Sequence, residues 1–577
     1  MQHSPSRVRR LTALMGAVVL GTTLLVACSN EDQGSSDSST VSGATTGAEA
    51  EEQGIYAQAR AANRGRNVAE EFGQAPQVIP DEAGIASSEL FFPSSETLIV
   101  AGPSDAAQLR AASIGVVTHA PMLRFVPEQR DAIVAEAERL GATRILTVGE
   151  VDLPDIEGAE IFADDGSMEG LGEITAKQFT EQEVTSPAEM AEATAALDPD
   201  SNTLLTAAWE EFPVSREEDA EKLPALPAGS RRDADASPVI VASPESSTID
   251  VANVRSYGGE VRFMSFPDPR LNAETMEMVA GLADQPLIAL GEQFGTAEEL
   301  VEKIQLGETV TTELPGGGGL VFPGRRMVAL YGHYTGPALG AMGEQPPAEA
   351  VARVQQMVDE YQQYSDEPVI PAFEVIATVA SEFSGEDGDY SNEFTVEEIR
   401  PYVDAIVDAG GYAVLDLQSG QASFLEQAKL YEELLKHPNV GLALDPEWNL
   451  HPGEQPMQRV GHAEAAEVNE VATWLADLTR ENELPQKAFV LHQFQLQMLR
   501  DREQIDTSHP ELAHVLHADG HGEPGQKFDT WNVMKEGLDH NEWFMAWKNF
   551  YDEDFPTFTP QQTYEEVSPR PWFVSYQ

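Results

Sequence analysis

VGLALDPEWNL (440–450) belongs to a series of eight apolar segments in the C-terminal half of the chain, most of which end in a carboxylate, an imidazole or an aromatic ring. The segments read MVALY (327–331), VIPAFE (369–374), YAVLDL (412–417), VGLALD (440–445), AFVLH (488–492), AHVLHAD (513–519), WFMAW (543–547) and WFVSY (572–576). Amphipathic stretches long enough for a helix lie between most of them. This alternation predicts a parallel sheet closed into a (β/α)8 TIM-like barrel over residues 325–577.

Two of the helices between these strands are also predicted from the sequence. Thr395-Val-Glu-Glu398 is a capping box, which predicts a helix that runs to about Ala409. Apolar residues on one face predict another helix from Ala463 to Leu478. The last strand ends next to Gln577, so barrel closure is expected to depend on the final six residues.

Acidic side chains follow several predicted strands, and barrel enzymes assemble their active sites at the C-terminal ends of strands. Asp445 and Glu447 form an acid-x-acid pair, which is typical of glycosidases, in which one carboxyl donates a proton and the other stays ionised. We expect Glu447 to be the acid and Asp445 its electrostatic partner. Glu374 and Asp416 are candidates for the base or nucleophile. The structural alternative is that these acids pair with Arg326, Lys548 or backbone amides.

Polar and aromatic residues near the same strand ends are candidates for substrate binding. Hydrogen-bonding and ring-stacking groups suit a sugar, whose faces are apolar and whose edges are polar. The candidates are His492, Gln493, Asp519, Trp448, Tyr331 and Trp547. Core packing is the alternative explanation for the aromatic residues.

His517-Ala-Asp519-Gly-His521 offers a second chemistry. In an extended chain both imidazoles and the carboxylate lie on one side, which makes His517, Asp519 and His521 candidates for a two-histidine, one-carboxylate metal site. The alternative is a neutral His–Asp pair that lines the pocket. Four glycines within LPGGGGLVFPG (314–324) lack the lysine of a phosphate-binding loop and are interpreted as a hinge, so no cofactor is expected.

An internal duplication organises the N-terminal half. ETLIVAGPSDAAQLRAA, starting at Glu96, has a counterpart in ASPVIVASPESSTIDVA, starting at Ala236, with Ala101, Pro127 and Gly149 matching Ala242, Pro267 and Gly291. Each copy reads strand, helix, strand, helix, strand, which predicts two duplicated Rossmann- or flavodoxin-like α/β modules. A plain pair of flavodoxin-like sheets without a ligand is the alternative.

Three resemblances go with these patterns. LIVAGPSDAAQLRAA, APMLRF and ILTVGE resemble the cell-wall-binding repeat 2 modules of Gram-positive surface proteins, which implies a cell-wall polysaccharide or peptidoglycan as partner. The DPE of 445–447 is similar to the D-x-E of secreted muramidases. YGHYTGPALG, PAFEVIATVAS, LDLQSG, LALDPEWNL and WKNFYDED resemble an uncharacterised group of actinobacterial exported TIM-barrel lipoproteins, which implies a glycoside-hydrolase-like barrel.

The start of the chain predicts export and lipid anchoring. A basic region containing Arg7, Arg9 and Arg10 precedes an apolar run, and Leu25-Val26-Ala27-Cys28 reads as a lipobox in which the Cys28 thiol takes the lipid. The expected divisions are a lipoprotein signal peptide (1–28), a flexible tether (29–55), a first α/β module with an insert (56–235), a second module (236–313), the hinge (314–324) and the barrel (325–577). The predicted location is the extracytoplasmic face of the cell membrane.

Composition narrows the class of partner. The chain of 577 residues has 97 acidic and 35 basic residues and a formal net charge of −62, which argues against nucleic acid as a partner. The expected function is binding or hydrolysis of a neutral envelope glycan by paired carboxylates. A non-catalytic cell-wall or solute-binding lipoprotein and a metal-dependent hydrolase are the two alternatives.

Overall fold

The structure is a computed structural model that describes residues 55–80, 83–216, 221–227, 229 and 236–577. The predicted signal peptide, Cys28 and nearly all of the predicted tether lie outside these residues. Among the helices of the described part, none is both long and apolar enough to cross a membrane.

The region before residue 310 alternates strands and helices. Its strands are β1 (Gln77–Ile79), β2 (Thr97–Ala101), β3 (Met122–Arg124), β4 (Arg144–Val148), β5 (Glu160–Ala163), β6 (Thr180–Val184), β7 (Thr203–Ala207), β8 (Val239–Ala242), β9 (Arg262–Phe263) and β10 (Leu287–Leu290). Its helices are α1 (Ala57–Arg64), α2 (Ile85–Phe91), α3 (Asp105–Thr118), α4 (Arg130–Leu140), α5 (Met168–Thr175), α6 (Met190–Ala195), α7 (Thr248–Tyr257), α8 (Ala273–Val279) and α9 (Ala297–Thr309).

Two four-stranded parallel sheets dominate this region, in the orders β3-β2-β4-β5 and β9-β8-β10-β1. A serine caps the helix after the first strand of each predicted copy, because Ser104 accepts from Ala107 N and Ser247 from Asp250 N. The second sheet takes its edge strand, β1, from a segment that precedes the first sheet in the chain. A boundary at residue 235 therefore does not separate the strands of the two sheets.

The C-terminal half is a closed barrel of eight parallel strands, which confirms the predicted TIM-like fold. The strands of this half are β11 (Arg326–Gly332), β12 (Val369–Ala380), β13 (Ser391–Glu393), β14 (Tyr412–Leu417), β15 (Val440–Leu444), β16 (Ala463–Glu464), β17 (Lys487–Gln493), β18 (Leu499–Arg500), β19 (Leu512–Ala518), β20 (Trp543–Asn549) and β21 (Phe573–Tyr576). The helices are α10 (Pro347–Tyr361), α11 (Val396–Asp408), α12 (Phe424–Leu430), α13 (Glu432–Leu435), α14 (Ala465–Glu481), α15 (Pro524–Lys535) and α16 (Pro560–Glu565).

Barrel closure comes from β11, which pairs with β12 on one side and with β21 on the other. The strands β13, β16 and β18 are not staves of the barrel; β13 extends the long β12 in an antiparallel pair, and β16 pairs with β18. The capping box at Thr395 and Glu398 is formed and begins α11, as predicted.

The lower part of the barrel is filled by small and apolar side chains, among them Met327, Ala372, Val414, Val490 and Val515, which form one buried cluster. Two residues further along these strands, the next inward-facing side chains are polar. The packed lower layers therefore act as a floor beneath a polar layer at the C-terminal ends of the strands.

The segment 314–324, which was expected to be a hinge, packs against the N-terminal end of the barrel. Phe322 is buried and its ring lies 5.3 Å from Phe544 and 6.0 Å from Trp572. Gly319 N donates to Arg270 O at 2.8 Å, and Gly319 O accepts from Gln486 N at 2.8 Å. This segment therefore connects the α/β region to the barrel through specific contacts and covers the N-terminal end of the barrel.

Candidate functional site

Four ionisable side chains lie fully buried at the C-terminal ends of the barrel strands. Glu374 is on β12, Asp416 on β14, His492 on β17 and His517 on β19, and each has 0% relative exposure. Contacts between non-neighbouring strands show that these side chains point into the barrel. We call Glu374, Asp416, His492 and His517 the buried cluster.

His492 is the centre of this cluster. Its Nε2 lies 2.9 Å from Glu374 Oε1, and its Nδ1 lies 3.0 Å from Asp519 Oδ2. The same Nε2 is 4.0 Å from Asp416 Oδ1. The imidazole therefore bridges a fully buried carboxylate and Asp519, which retains 8% exposure just beyond β19.

His517 lies beside His492, because the two residues are register partners on β17 and β19. Their ring centroids are 4.5 Å apart. His517 Nδ1 lies 3.5 Å from Glu374 Oε1, and its Nε2 lies 3.0 Å from the hydroxyl of Ser575 on β21. Both imidazoles thus face one carboxylate, and each is held on its other nitrogen by an oxygen.

A tyrosine and a lysine complete the wall opposite these histidines. Tyr331 OH donates to Asp416 Oδ2 at 2.7 Å. Lys548 Nζ lies 3.7 Å from the centre of the Tyr331 ring, so the ammonium covers the ring face that a sugar would need for stacking. Tyr331 therefore orients Asp416, and its role as a stacking platform is not supported by this arrangement.

Asp445 and Glu447 follow β15 at the barrel mouth. Asp445 caps a 3₁₀ turn (Pro446–Trp448) by accepting from Glu447 N at 3.1 Å, which fixes the direction in which Glu447 leaves the strand. Asp445 is buried, whereas Glu447 and Trp448 are partly exposed. Of the predicted catalytic carboxylates, Glu447 is the one that solvent reaches.

Contact with His492 separates Asp519 from the other two acids at the barrel mouth. Burial, followed by the negative charge of Asp519, raises the pKa of Glu447 to about 7, and burial raises the pKa of Asp445 well above its ordinary value. Burial would also raise the pKa of Asp519, but the hydrogen bond and charge of His492 lower it. Glu447 therefore holds a proton under conditions in which Asp519 is ionised.

In the buried cluster the two histidines and the carboxylates change one another's pKa. Burial alone would raise the pKa of Glu374, but His517 and His492 lower it. Burial lowers the pKa of His492, but Glu374 and Asp519 outweigh that effect and raise it well above its ordinary value. Burial raises the pKa of Asp416 to about 6. The Glu374–His492–Asp519 chain is therefore a network of alternating charges.

Three predicted site residues do not join this network. Gln493 faces the outside of the barrel, where its Oε1 accepts from Arg502 Nη1 at 2.7 Å. Trp547 is buried outside the barrel, 5.4 Å from Trp531, and His521 is exposed and lies 5.8 Å from Phe550. Successive side chains in a strand point to opposite faces. Gln493 and Trp547 are each next to an inward-facing residue and therefore face outward, so their prediction as substrate-binding residues is wrong.

The structural alternative for the acids is realised in part. Asp445 accepts from the backbone N–H of Glu447, and the charge of Lys548 acts on Asp416 and Glu447 against the effect of burial. Arg326 lies at the other end of its strand, where it pairs with Glu367 at 3.2 Å and covers the Trp572 ring at 4.0 Å. Lys548 covers Tyr331, as described above. Ser575 was not predicted, although the inward alternation of Phe573 and Ser575 on β21 could have identified it.

A divalent ion has a possible set of ligands in the buried cluster. Glu374, His492 and His517 each offer one ligand atom, and these atoms lie within 4.8 Å of one another. The predicted combination of His517 with Asp519 and His521 is not formed, because His521 lies away from the cluster.

No protein-family model matches the chain, and no curated protein matches it in sequence.

Proposed function

We propose that the barrel hydrolyses glycosidic bonds of a neutral cell-envelope glycan, with Glu447 as the general acid. The observation that carries the proposal is the placement of Glu447 and Asp519 just beyond the C-terminal ends of β15 and β19, where His492 Nδ1 holds Asp519 at 3.0 Å. The pKa of Glu447 is raised to about 7, whereas that of Asp519 is lowered. Two carboxyls whose surroundings move their pKa values apart are suited to acid and base roles at one site. Both side chains lie at the barrel mouth, above the buried cluster.

Each residue then has a distinct task. Protonated Glu447 donates its proton to the leaving glycosidic oxygen as the glycosidic bond breaks. Ionised Asp519 stabilises the positive charge that develops on the sugar ring and takes a proton from the water whose oxygen bonds to the anomeric carbon. His492 holds Asp519 in place through the 3.0 Å contact at Nδ1. Glu374 and Asp416, predicted as base or nucleophile, are fully buried, so we assign them to positioning His492 and to the electrostatics of the site.

The N-terminal half suits a role in binding the wall. The two parallel sheets and the phrases that resemble cell-wall-binding repeats support attachment to peptidoglycan or a wall polysaccharide. A lipid on Cys28 would hold the protein at the extracytoplasmic face of the membrane. Incorporation of labelled palmitate into the wild type but not into Cys28→Ser tests this anchoring, and equal labelling of both proteins would contradict it.

The enzymatic proposal is tested with purified full chain and isolated, neutral actinobacterial wall glycans. We expect released sugars from the wild type and a loss of at least about 10²-fold in rate for Glu447→Gln and Asp519→Asn. Glu481→Gln, which changes an exposed acid at the end of α14, is the matched control and should retain full activity.

Two outcomes would contradict hydrolysis. Release of sugars by Glu447→Gln at the wild-type rate would remove Glu447 from the mechanism. Absence of release by the wild type, together with co-sedimentation of the protein with the wall, would leave a non-catalytic binding protein.

A further inference from the structure

Glu374, His492 and His517 form a convergent set of donors. Glu374 Oε1 lies 2.9 Å from His492 Nε2 and 3.5 Å from His517 Nδ1. The three residues come from β12, β17 and β19, so the rigid barrel and not a loop fixes their positions. Two imidazoles and one carboxylate are a common ligand set for transition metals.

The outer nitrogen of each imidazole is already occupied. His492 Nδ1 contacts Asp519 Oδ2 at 3.0 Å, and His517 Nε2 contacts Ser575 Oγ at 3.0 Å. In metal sites an oxygen commonly holds the non-ligating nitrogen of a histidine and so fixes the tautomer and the ring orientation. Both imidazoles show this arrangement, and the nitrogens that remain point toward Glu374.

Several polar atoms inside the cluster have no hydrogen-bond partner among the described residues. They are Glu374 Oε2, Asp416 Oδ1 and His517 Nδ1, and their residues are fully buried. An unsatisfied polar atom inside a protein destabilises the folded state, and a charged one does so more strongly. Two of these atoms belong to Glu374 and His517, which are in the set of residues whose ligand atoms lie within 4.8 Å of one another, and this indicates a ligand that accepts electron pairs.

We propose that the buried cluster binds one divalent transition-metal ion of the Zn²⁺ class through Glu374, His492 and His517. Asp416 Oδ1 lies 4.0 Å from His492 Nε2, outside the set of ligand atoms that lie within 4.8 Å of one another. The two nitrogen donors disfavour Ca²⁺ and Mg²⁺, which prefer shells of oxygen. Because the ligands are buried, the ion exchanges slowly.

This site goes beyond the proposed function and does not depend on it. The ion lies beneath the barrel mouth and is linked to Asp519 only through the ring of His492. Metal content and sugar release are therefore separate readouts, and failure of one does not imply failure of the other.

The test measures metal content in purified full chain that has been unfolded with chelator, refolded with Zn²⁺ and dialysed. We expect one ion per chain in the wild type, with a higher Tm than the chelated protein. His517→Gln should lose the ion and the shift in Tm. His514→Gln is the matched control, because His514 lies on the same strand at the same burial but faces outward, 5.7 Å from Trp543.

A second measurement covers the case in which His517→Gln does not fold. Refolding the wild type with Co²⁺ should produce visible absorption bands typical of nitrogen and oxygen ligands, and Zn²⁺ present during refolding should suppress them. Absence of bound Zn²⁺ and of Co²⁺ bands in folded wild type would overturn the proposal. Equal metal content in His517→Gln and the wild type would overturn it as well.

Discussion

At the scale of single residues, Glu447 makes stability depend on pH. Burial raises its pKa to about 7 in the folded state, above the value for an unfolded chain, so the folded state binds the proton more tightly. This contribution to stability is fully present below the unfolded pKa of about 4.3 and is lost as the pH rises through about 7.

We therefore expect Glu447→Gln to weaken the pH dependence of stability. Between pH 5 and pH 8 the wild type should lose on the order of 2 kcal/mol more than the variant, after allowance for the partial exposure of this carboxyl. Urea unfolding at both pH values measures the difference. Identical pH profiles for the two proteins would show that the folded state does not perturb this group.

The buried pair Lys527–Asp554 is a second residue-scale feature, next to the mouth. Lys527 Nζ contacts Asp554 Oδ2 and Lys548 O, each at 2.6 Å, and Asp554 also accepts from Phe550 N and Gly522 N. Asp554→Asn leaves a buried ammonium without its counter-ion, so the free energy of unfolding should fall by about 3–5 kcal/mol.

The control for this variant is Asp284→Asn, which breaks the exposed ion pair with Arg64. Exposed pairs contribute at most about 1 kcal/mol, so this change should be nearly neutral in chemical denaturation. Similar losses in both variants would mean that the position of Asp554 in the protein interior has no energetic consequence.

At the scale of elements, the last strand decides whether the barrel is closed. β21 pairs with β11 and β20, and Gln577 N donates to Asn549 O at 2.9 Å. Removal of residues 572–577 would expose the edges of two central strands and the apolar floor beneath them. We expect the truncated chain to lose its cooperative thermal transition and to aggregate.

Tyr576→Phe is the matched change within β21. It removes the hydroxyl contact with Tyr361 but keeps the strand, so its cost should be about 1 kcal/mol in Tm-derived stability. A truncated protein with the wild-type melting curve would show that β21 is dispensable for closure.

At the scale of the whole molecule, Arg270 connects the α/β region to the barrel. Its side chain pairs with Asp268 at 2.7 Å and donates to Pro510 O at 2.7 Å, while its carbonyl accepts from Gly319 N. In Arg270→Ala the buried Asp268 loses its partner and the side-chain contact with Pro510 is lost, which weakens the connection although the backbone bond to Gly319 remains. Calorimetry should then resolve two thermal transitions where the wild type has one.

Glu302→Gln serves as the comparison for this connection. Glu302 on α9 reaches the same half of the barrel through an exposed contact with Arg480 of α14, 2.8 Å long. We expect this variant to keep a single transition, because an exposed ion pair contributes little. Two transitions already present in the wild type would contradict the view that the two regions unfold together.

The sequence was sufficient for the barrel because its signals are local. Apolar runs and a capping box such as Thr395–Glu398 depend on neighbouring residues alone, and the strand ends at Glu374, Asp416 and His492 meet by the geometry of any such barrel. The features that the sequence did not predict depend on contacts between distant segments or on which face of a strand a residue occupies. The pairing of β1 with β10 spans most of the α/β region, and Gln493 was assigned to the wrong face because proximity in sequence was taken for proximity in space.

The position of β1 has a mechanical consequence. The chain leaves β1 at Ile79 and returns to the same sheet only at Val239, so the whole first sheet lies in a loop outside the load path. Once α1 has separated from its contacts with Ala280 and Gly281, tension applied before β1 passes through the three register pairs of β1 with β10 and on through α9 into the barrel. Because the two strands are parallel and are pulled from opposite ends, the hydrogen bonds between them are loaded together in shear. The first sheet is thereby shielded from force until β1 detaches.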